Sequence, residues 1–238
     1  MSQSPVLTEW FRHVPEDKWL RDPAASRADA EKIWQHLQLQ PGVRVLECPC
    51  GKADISFPMA RLGAKVIGYD FNAHFITGAK NKFKRAALDG EFHTDDMRTA
   101  HFPKEMDLII NWSSSFGYFK DDANSDLLKR FAGALKTGGT LLIEVANPEL
   151  VISGEATRLI ASGDVVAETW NSETRRASVI FPATTFRGPV TASVRVYTTD
   201  EFRQMIEDAG LELVGFYGPG FEEYAPDSSR LIVVAKKP

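Results

Sequence analysis

The residues best suited to chemistry fall in two groups: the run Glu47-Cys-Pro-Cys-Gly51, and Asp70 further on. Pro49 and Gly51 mark a sharp turn, which lets backbone approach a ligand closely. An acid about 20 residues beyond such a turn, at the end of the next strand, can accept hydrogen bonds from two ribose hydroxyls. Together they are a physical recipe for holding a nucleoside. Asp96, within Asp95-Asp-Met-Arg98, is a second candidate acid, and Asn111-Trp-Ser113 leads into the polar-aromatic loop Ser113–Phe119. Asp is also common at helix caps and in loops, but the shared place of Asp70 and Asp96 after successive strands favours ligation. Cys48 and Cys50 flank one proline, a spacing poor for a disulfide, and without nearby histidines they make a poor zinc site. They read as small packing residues beside a ligand in a reducing compartment. No metal is expected.

The elements that must position these residues alternate. Val43, Val45 and Leu46 read as a buried strand, and a helix follows with Ile55, Phe57, Met59, Ala60 and Leu62 apolar. A strand from Lys65 ends on Asp70, and Asn72 caps a helix over 72–88. A short strand, Glu91–Thr94, and a fully buried one, Met106–Trp112, come next. A helix through Leu127, Leu128, Phe131 and Leu135 should stop at Lys136-Thr-Gly-Gly139, before the strand Thr140–Val145. This alternation predicts a doubly wound, Rossmann-like parallel sheet with right-handed crossovers. Past Pro148 the pattern changes: residues 164–171, 175–183 and 190–197 read as consecutive strands, an antiparallel insertion. A helix over 199–209 and two strands, Leu211–Tyr217 and Leu231–Ala235, close the chain. Before the core, Pro5, Pro15 and Pro23 break residues 1–24 into short turns, and a helix spans 25–38.

With 238 residues and 43% hydrophobic content, the chain can bury one sizeable core. A formal net charge of -4 argues against nucleic acid as the main partner, since phosphate binding wants clustered excess Lys and Arg. The basic stretch Lys80–Arg85 reads as a solvated helix face rather than a binding patch. No apolar run approaches a membrane span and the N-terminus is no signal peptide, so a cytoplasmic location is expected.

Leu46–Gly51, Asp70, Asp96-Met-Arg98 and Asn111–Phe119, in this order and spacing, resemble a class I S-adenosylmethionine-dependent methyltransferase, as does everything from residue 30 onward. Lys136–Ile143 resembles the loop and strand after that family's fourth helix, and the closing pair its reversed seventh strand. The family usually has two or three glycines in the first turn; here Pro49 and Ala53 take two of those places. The resemblance implies a seven-stranded sheet with S-adenosylmethionine as cofactor. It places Glu47 near the cofactor's ammonium, and the backbone of Cys48, Cys50 and Gly51 against methionine and ribose. Asp70 would take the ribose hydroxyls, Phe71 or Asn72 would flank the adenine, and Asp96 and Met97 would read its edge. Asn111, Trp112 and Ser113 would line the methionine side, with Trp19, Arg21 and Arg27 as candidates to close over the tail.

The implied reaction is methyl transfer to a nitrogen or oxygen of a small molecule, carried mainly by orientation. No His-Asp pair declares itself, which suits an amine or an acidic hydroxyl. Phe116 and Tyr118 are the expected acceptor contacts, with core packing as the alternative. Residues 1–148 and 198–238 would form the cofactor-binding core, with 1–28 as a lid, and 149–197 an acceptor cap or a dimerisation element. The last use would make the protein a homodimer. A degenerate binding protein or scaffold is the nonenzymatic alternative. A nicotinamide-dependent oxidoreductase fits less well, because it wants glycines at three places.

Overall fold

The computed structural model describes residues 21–154, 167–181 and 190–238. The first helix, α1 (Pro23–His36), is capped by Asp22, whose carboxylate accepts from Ala24 N at 3.0 Å and Ala25 N at 3.3 Å. Pro23 therefore opens this helix instead of breaking the chain before it, because the first turn has no use for the missing N–H. The alternation then runs β1 (Arg44–Glu47), α2 (Ser56–Arg61), β2 (Lys65–Asp70), α3 (Ala73–Arg85), β3 (Gly90–Thr94) and β4 (Met106–Asn111). After α4 (Asp121–Ala134), β5 (Leu135–Ala146) starts without the expected stop. The backbone of Gly138 and Gly139 instead pairs with Lys237, at 2.8 and 2.9 Å, which draws the glycine pair into β5 beside the last strand, with an irregularity in the pairing of β5 with β4. A short helix, α5 (Pro148–Ser153), follows; its six residues escaped the pattern reading. The chain continues through β6 (Ala167–Asn171), β7 (Arg176–Phe181), β8 (Val190–Arg195), α6 (Thr199–Asp208), β9 (Glu212–Tyr217) and β10 (Arg230–Lys236).

Seven strands form one sheet in the order β3-β2-β1-β4-β5-β10-β9. β10 runs antiparallel to both its neighbours, while β1 to β5 pair in parallel. Side chains alternate between faces with period two. Leu46, Ile109, Leu141 and Val233 pack with Phe131 of α4 and Phe202 of α6. Val45, Ile110, Leu142 and Ile232 pack with Ile33, Met59 and Phe83 of α1, α2 and α3. Both faces are covered, so β4 reads as a near-continuous apolar run. Each fully buried Leu or Ile of this kind stabilises the fold by about 1.5–3 kcal/mol.

β6, β7 and β8 form a separate antiparallel sheet. It docks on the loop after β4, where Arg195 N donates to Gly117 O at 2.8 Å. A side chain at Gly117 would stand 2.3 Å from the Arg195 carbonyl, and its φ is +104°. Only glycine permits so close a backbone approach. Arg195, buried, pairs with Asp121 at 3.2 Å and with Glu201, which ties the same sheet to α4 and α6. Among the described residues no helix is long and apolar enough to cross a membrane.

Candidate active site

β1 and β4 lie side by side, yet the chain leaves them toward opposite edges of the sheet. The crevice at such a switch point is where open α/β sheets bind ligands. Here it is a cavity of about 420 Å³, lined by the ends of β1, β2 and β4, by the loop after β4 and by two residues of the inserted sheet.

The 47–51 turn is strapped to both neighbouring strands. Cys48 N donates to Ile110 O at 2.9 Å and Cys50 N to Tyr69 O at 2.8 Å. Asn111 Nδ2 donates to Cys48 O at 2.9 Å, and the Cys48–Pro49 bond is cis. Gly51 takes φ +51° with open space where a side chain would begin. Ala53 takes φ 59°, so an alanine adopts the left-handed backbone at a place where the resembled family uses glycine. Burial pushes the Cys48 and Cys50 thiols up, with the Asp70 carboxylate adding to it, and this keeps both protonated and poorly nucleophilic.

Two acids sit at the strand ends. Glu47 Oε2 accepts from Ser56 N at 3.1 Å and from Ser56 Oγ. Burial pushes the Glu47 carboxyl up to about 7, restrained by those hydrogen bonds. Asp70 Oδ2 accepts from Gly51 N and Oδ1 from Asn72 N, each at 2.8 Å. Burial raises Asp70 to about 6 against these two bonds. A carboxylate has about four lone-pair sites, so two backbone donors leave Asp70 able to accept more. Asp96 is gripped by Arg98, whose Nε lies 3.0 Å from both carboxylate oxygens. The Arg98 guanidinium in turn sits 4.7 Å from the centre of the Phe119 ring.

The loop after β4 leaves the sheet through two left-handed residues, Ser113 at φ 60° and Ser114 at φ 54°. Buried Glu144 at the end of β5 holds it, accepting from Ser113 N at 2.7 Å and pairing with Arg230 of β10. Arg230 Nη2 also donates to Ser114 Oγ at 3.1 Å. On the solvent side Arg21 Nη1 donates to Ser113 Oγ at 2.7 Å while pairing with Asp29. Burial pushes the Tyr118 phenol up to about 12, so it stands protonated in the cavity. From β7, Arg176 donates to the carbonyls of Phe119, Tyr118 and Gly117 at 3.0, 3.2 and 3.3 Å.

Of the residues singled out from the sequence, Glu47, Cys48, Cys50, Gly51, Asp70, Phe71, Asp96, Met97, Trp112, Ser113 and Tyr118 line the cavity. Four others do not. The Asn72 side chain caps α3, accepting from His74 N at 2.8 Å and Phe75 N at 3.3 Å. Asn111, fully buried, donates Nδ2 to the Cys48 carbonyl, and its Oδ1 has no partner among the described residues. Phe116 packs in the core, 5.7 Å from the rings of Tyr197 and Phe202. Arg27 is exposed on α1. Trp19 lies outside the described residues. Arg98, Phe119, Lys120, Arg176 and Ser193 line the cavity without having been singled out. Arg98 and Phe119 stood inside runs already noted, so adjacency could have found them. Arg176 and Ser193 carry no local signal, because strand pairing alone brings them here.

The family model of a methyltransferase domain matches residues 45–139. YqeM of Bacillus subtilis, provisionally named a methyltransferase, is 22% identical over 222 residues, covering 87% of this chain and 84% of that protein. The ubiquinone biosynthesis O-methyltransferase of Brucella melitensis biotype 1 is 30% identical over 155 residues, 64% of this chain and 56% of that enzyme. The chain thus matches little more than half the length of the latter. The CcbJ methyltransferase of Streptomyces caelestis shares the fold, with a TM-score of 0.72 at 17% identity over 97% of this chain and 96% of that one. Residues 45–139 thus match a methyltransferase domain, and on this fold, around this cavity, the chain is similar to S-adenosylmethionine-dependent methyltransferases.

Proposed function

We propose that the enzyme methylates a nitrogen or oxygen of a small-molecule acceptor, which it holds between the strand ends and the inserted sheet. The observation that carries this reading is the composition of the cavity, where acids at the strand ends share one space with Tyr118, Phe119, Arg176 and Ser193. Bound S-adenosylmethionine supplies an electrophilic methyl, whose C–S electron pair passes to sulfur as the acceptor forms its new bond. Glu47 receives the cofactor's ammonium and Asp70 the ribose hydroxyls. Phe71 and Met97 flank the adenine, and Asp96, steadied by Arg98, accepts its amino group. Cys48, Cys50 and Gly51 offer backbone to ribose and methionine, Trp112 and Ser113 bound the methionine side, and Arg21 is the arginine at hand for the tail. Tyr118 contacts the acceptor.

On this reading the inserted strands are an acceptor cap, supported by Arg176 and Ser193 at the cavity wall. The enzyme works in the cytoplasm as a homodimer. No histidine lines the cavity among the described residues, and Tyr118 is held protonated, so the protein's main task is to orient two reactants and keep water out. Alignment of that kind can remove on the order of 7–11 kcal/mol from a barrier. The test is release of S-adenosylhomocysteine in the presence of a panel of small amines, phenols and carboxylic acids, with product mass read by mass spectrometry. A gain of one methyl on a panel member is expected. A methyl group that passes only to protein or nucleic acid would sink the small-molecule reading.

A further inference from the structure

We propose that the acceptor is an oxyanion, a small molecule attacked through an ionised hydroxyl or carboxyl oxygen, and that Arg176 and Lys120 recognise its charge. This rests on the transferase reading above and names the class of its acceptor.

The acids around the cavity are confined to one wall, which also carries Lys52 and Arg98. Its carboxylates, Glu47, Asp54, Asp70, Asp95 and Asp96, all end or follow β1, β2 or β3. The wall made by residues 113–120 and the inserted sheet adds no acid to the lining, but it adds Lys120 and Arg176. The acidic side suits a sulfonium and an ammonium. The cationic side repels a protonated amine and attracts an anion.

Arg176 sharpens the point. The other lining arginines are neutralised, Arg21 by Asp29 and Arg98 by Asp96. Arg176 forms no ion pair among the described residues. Besides the three loop carbonyls it donates to Ser193 O and Ser193 Oγ, each at 2.8 Å. Carbonyls and a hydroxyl satisfy its N–H groups but carry no net charge, so the guanidinium remains a full positive charge, half-buried at the cavity wall. Asp121, which acts on it through space, is itself engaged by Arg195 at 3.2 Å. An uncompensated, partly desolvated cation is costly unless an anion arrives to share its field. Lys120, exposed at the rim, adds a second charge without an ion pair among the described residues.

The chemistry is consistent with a lining that holds no histidine. An acidic oxygen loses its proton to water before transfer, so the transfer step itself moves none. The C–O bond forms as the C–S bond breaks, and the electron pair goes to sulfur. The negative acceptor and the positive sulfonium leave as a neutral methyl ether or ester and a neutral thioether. A loop clamp with no role in recognition would make the same hydrogen bonds but would not discriminate by charge.

The experiment uses the full chain saturated with S-adenosylhomocysteine and two probes of similar shape, 4-nitrophenol and 4-nitrobenzylammonium. At a pH equal to the free pKa of 4-nitrophenol, its absorbance reports the bound fraction that is phenolate. Expected are a rise in that fraction on binding and an affinity about tenfold above that of the ammonium. Lys120→Met and Arg176→Met should each weaken nitrophenol binding about threefold or more and lower the phenolate fraction, and Arg176→Lys should restore the preference for the anion. Lys120→Met carries the test if Arg176→Met does not fold. Equal or tighter binding of the ammonium would overturn the proposal. So would the lack of nitrophenol binding by protein that holds S-adenosylhomocysteine, or a charge preference unchanged in the folded variants. Failure of the folded wild type to bind S-adenosylhomocysteine would overturn the transferase reading beneath it, and this proposal with it.

Discussion

Replacing Asp70 by asparagine is expected to leave stability within about 2 kcal/mol of wild type while weakening S-adenosylhomocysteine binding by about 10- to 100-fold. The two effects have separate physical origins. Burial raises the Asp70 carboxyl from 3.8 to about 6, so keeping it ionised in the fold at neutral pH costs about 3 kcal/mol. Asparagine removes that cost. It has one oxygen, however, where Asp70 uses both, on Gly51 N and Asn72 N. One backbone N–H then faces an amide NH₂, at a cost of about 1–3 kcal/mol. The folded state therefore comes out nearly even, whereas the ligand loses charge-assisted bonds worth about 1.5–3 kcal/mol. The pH dependence follows the same carboxyl. Its contribution to the ligand-free fold is fully present below 3.8 and is lost as pH rises through about 6. Hydroxyl donors favour the ionised form, so ligand affinity should instead rise with pH through about 6, with protons released on binding. Titration calorimetry near pH 6, in two buffers of different ionisation enthalpy, measures both affinity and proton release, and urea unfolding measures stability. Glu47, raised to about 7, titrates nearby, so Glu47→Gln is measured alongside to isolate the Asp70 share. Undiminished affinity in Asp70→Asn, or proton uptake on binding to Glu47→Gln, would refute the reasoning.

Three further outcomes are expected. Glu144→Gln weakens the hold on Ser113 N and on Arg230, and urea unfolding should register a loss of about 1–3 kcal/mol. Its effect should be non-additive with Arg230→Gln, because the two residues share one network. Gly117→Ala forces a side chain against the Arg195 carbonyl at a left-handed φ, which should cost about 2 kcal/mol or more and speed amide exchange at Arg195. Thr198→Ala removes the capping box that starts α6 and should cost about 1 kcal/mol, with S-adenosylhomocysteine affinity unchanged because neither Thr198 nor α6 lines the cavity.

Much of the fold was legible in the residues. The near-continuous apolar run of β4, the Asn72 cap before α3 and the return to helix at Thr199 are signals carried within one element, and the structure keeps all three. Where local reading failed, a partner from far along the chain intervened. Lys136–Gly139 has the composition of a turn, yet Lys237 pairs with its glycines beside β10. Pro23 looked like a break until Asp22 was seen to cap the turn that Pro23 opens.

For the site, the strand-end acids and the turn between them follow from local residue pattern alone. Glu47, Asp70 and Gly51 sit at ends of elements whose periodicity is local, and strand order then brings them together at the switch point. Which side chains keep free lone pairs, which are spent and what faces them were decided only in three dimensions. Asn72 and Asn111 have the same chemistry as a ligand contact, yet the Asn72 side chain caps α3 and the Asn111 amide N–H is held by Cys48. Arg98 closes on Asp96, and Arg176 crosses from an inserted strand to three loop carbonyls. A hydrogen bond reaches about 3 Å, and nothing in the spacing along the chain says which residues the folded backbone will bring within that distance.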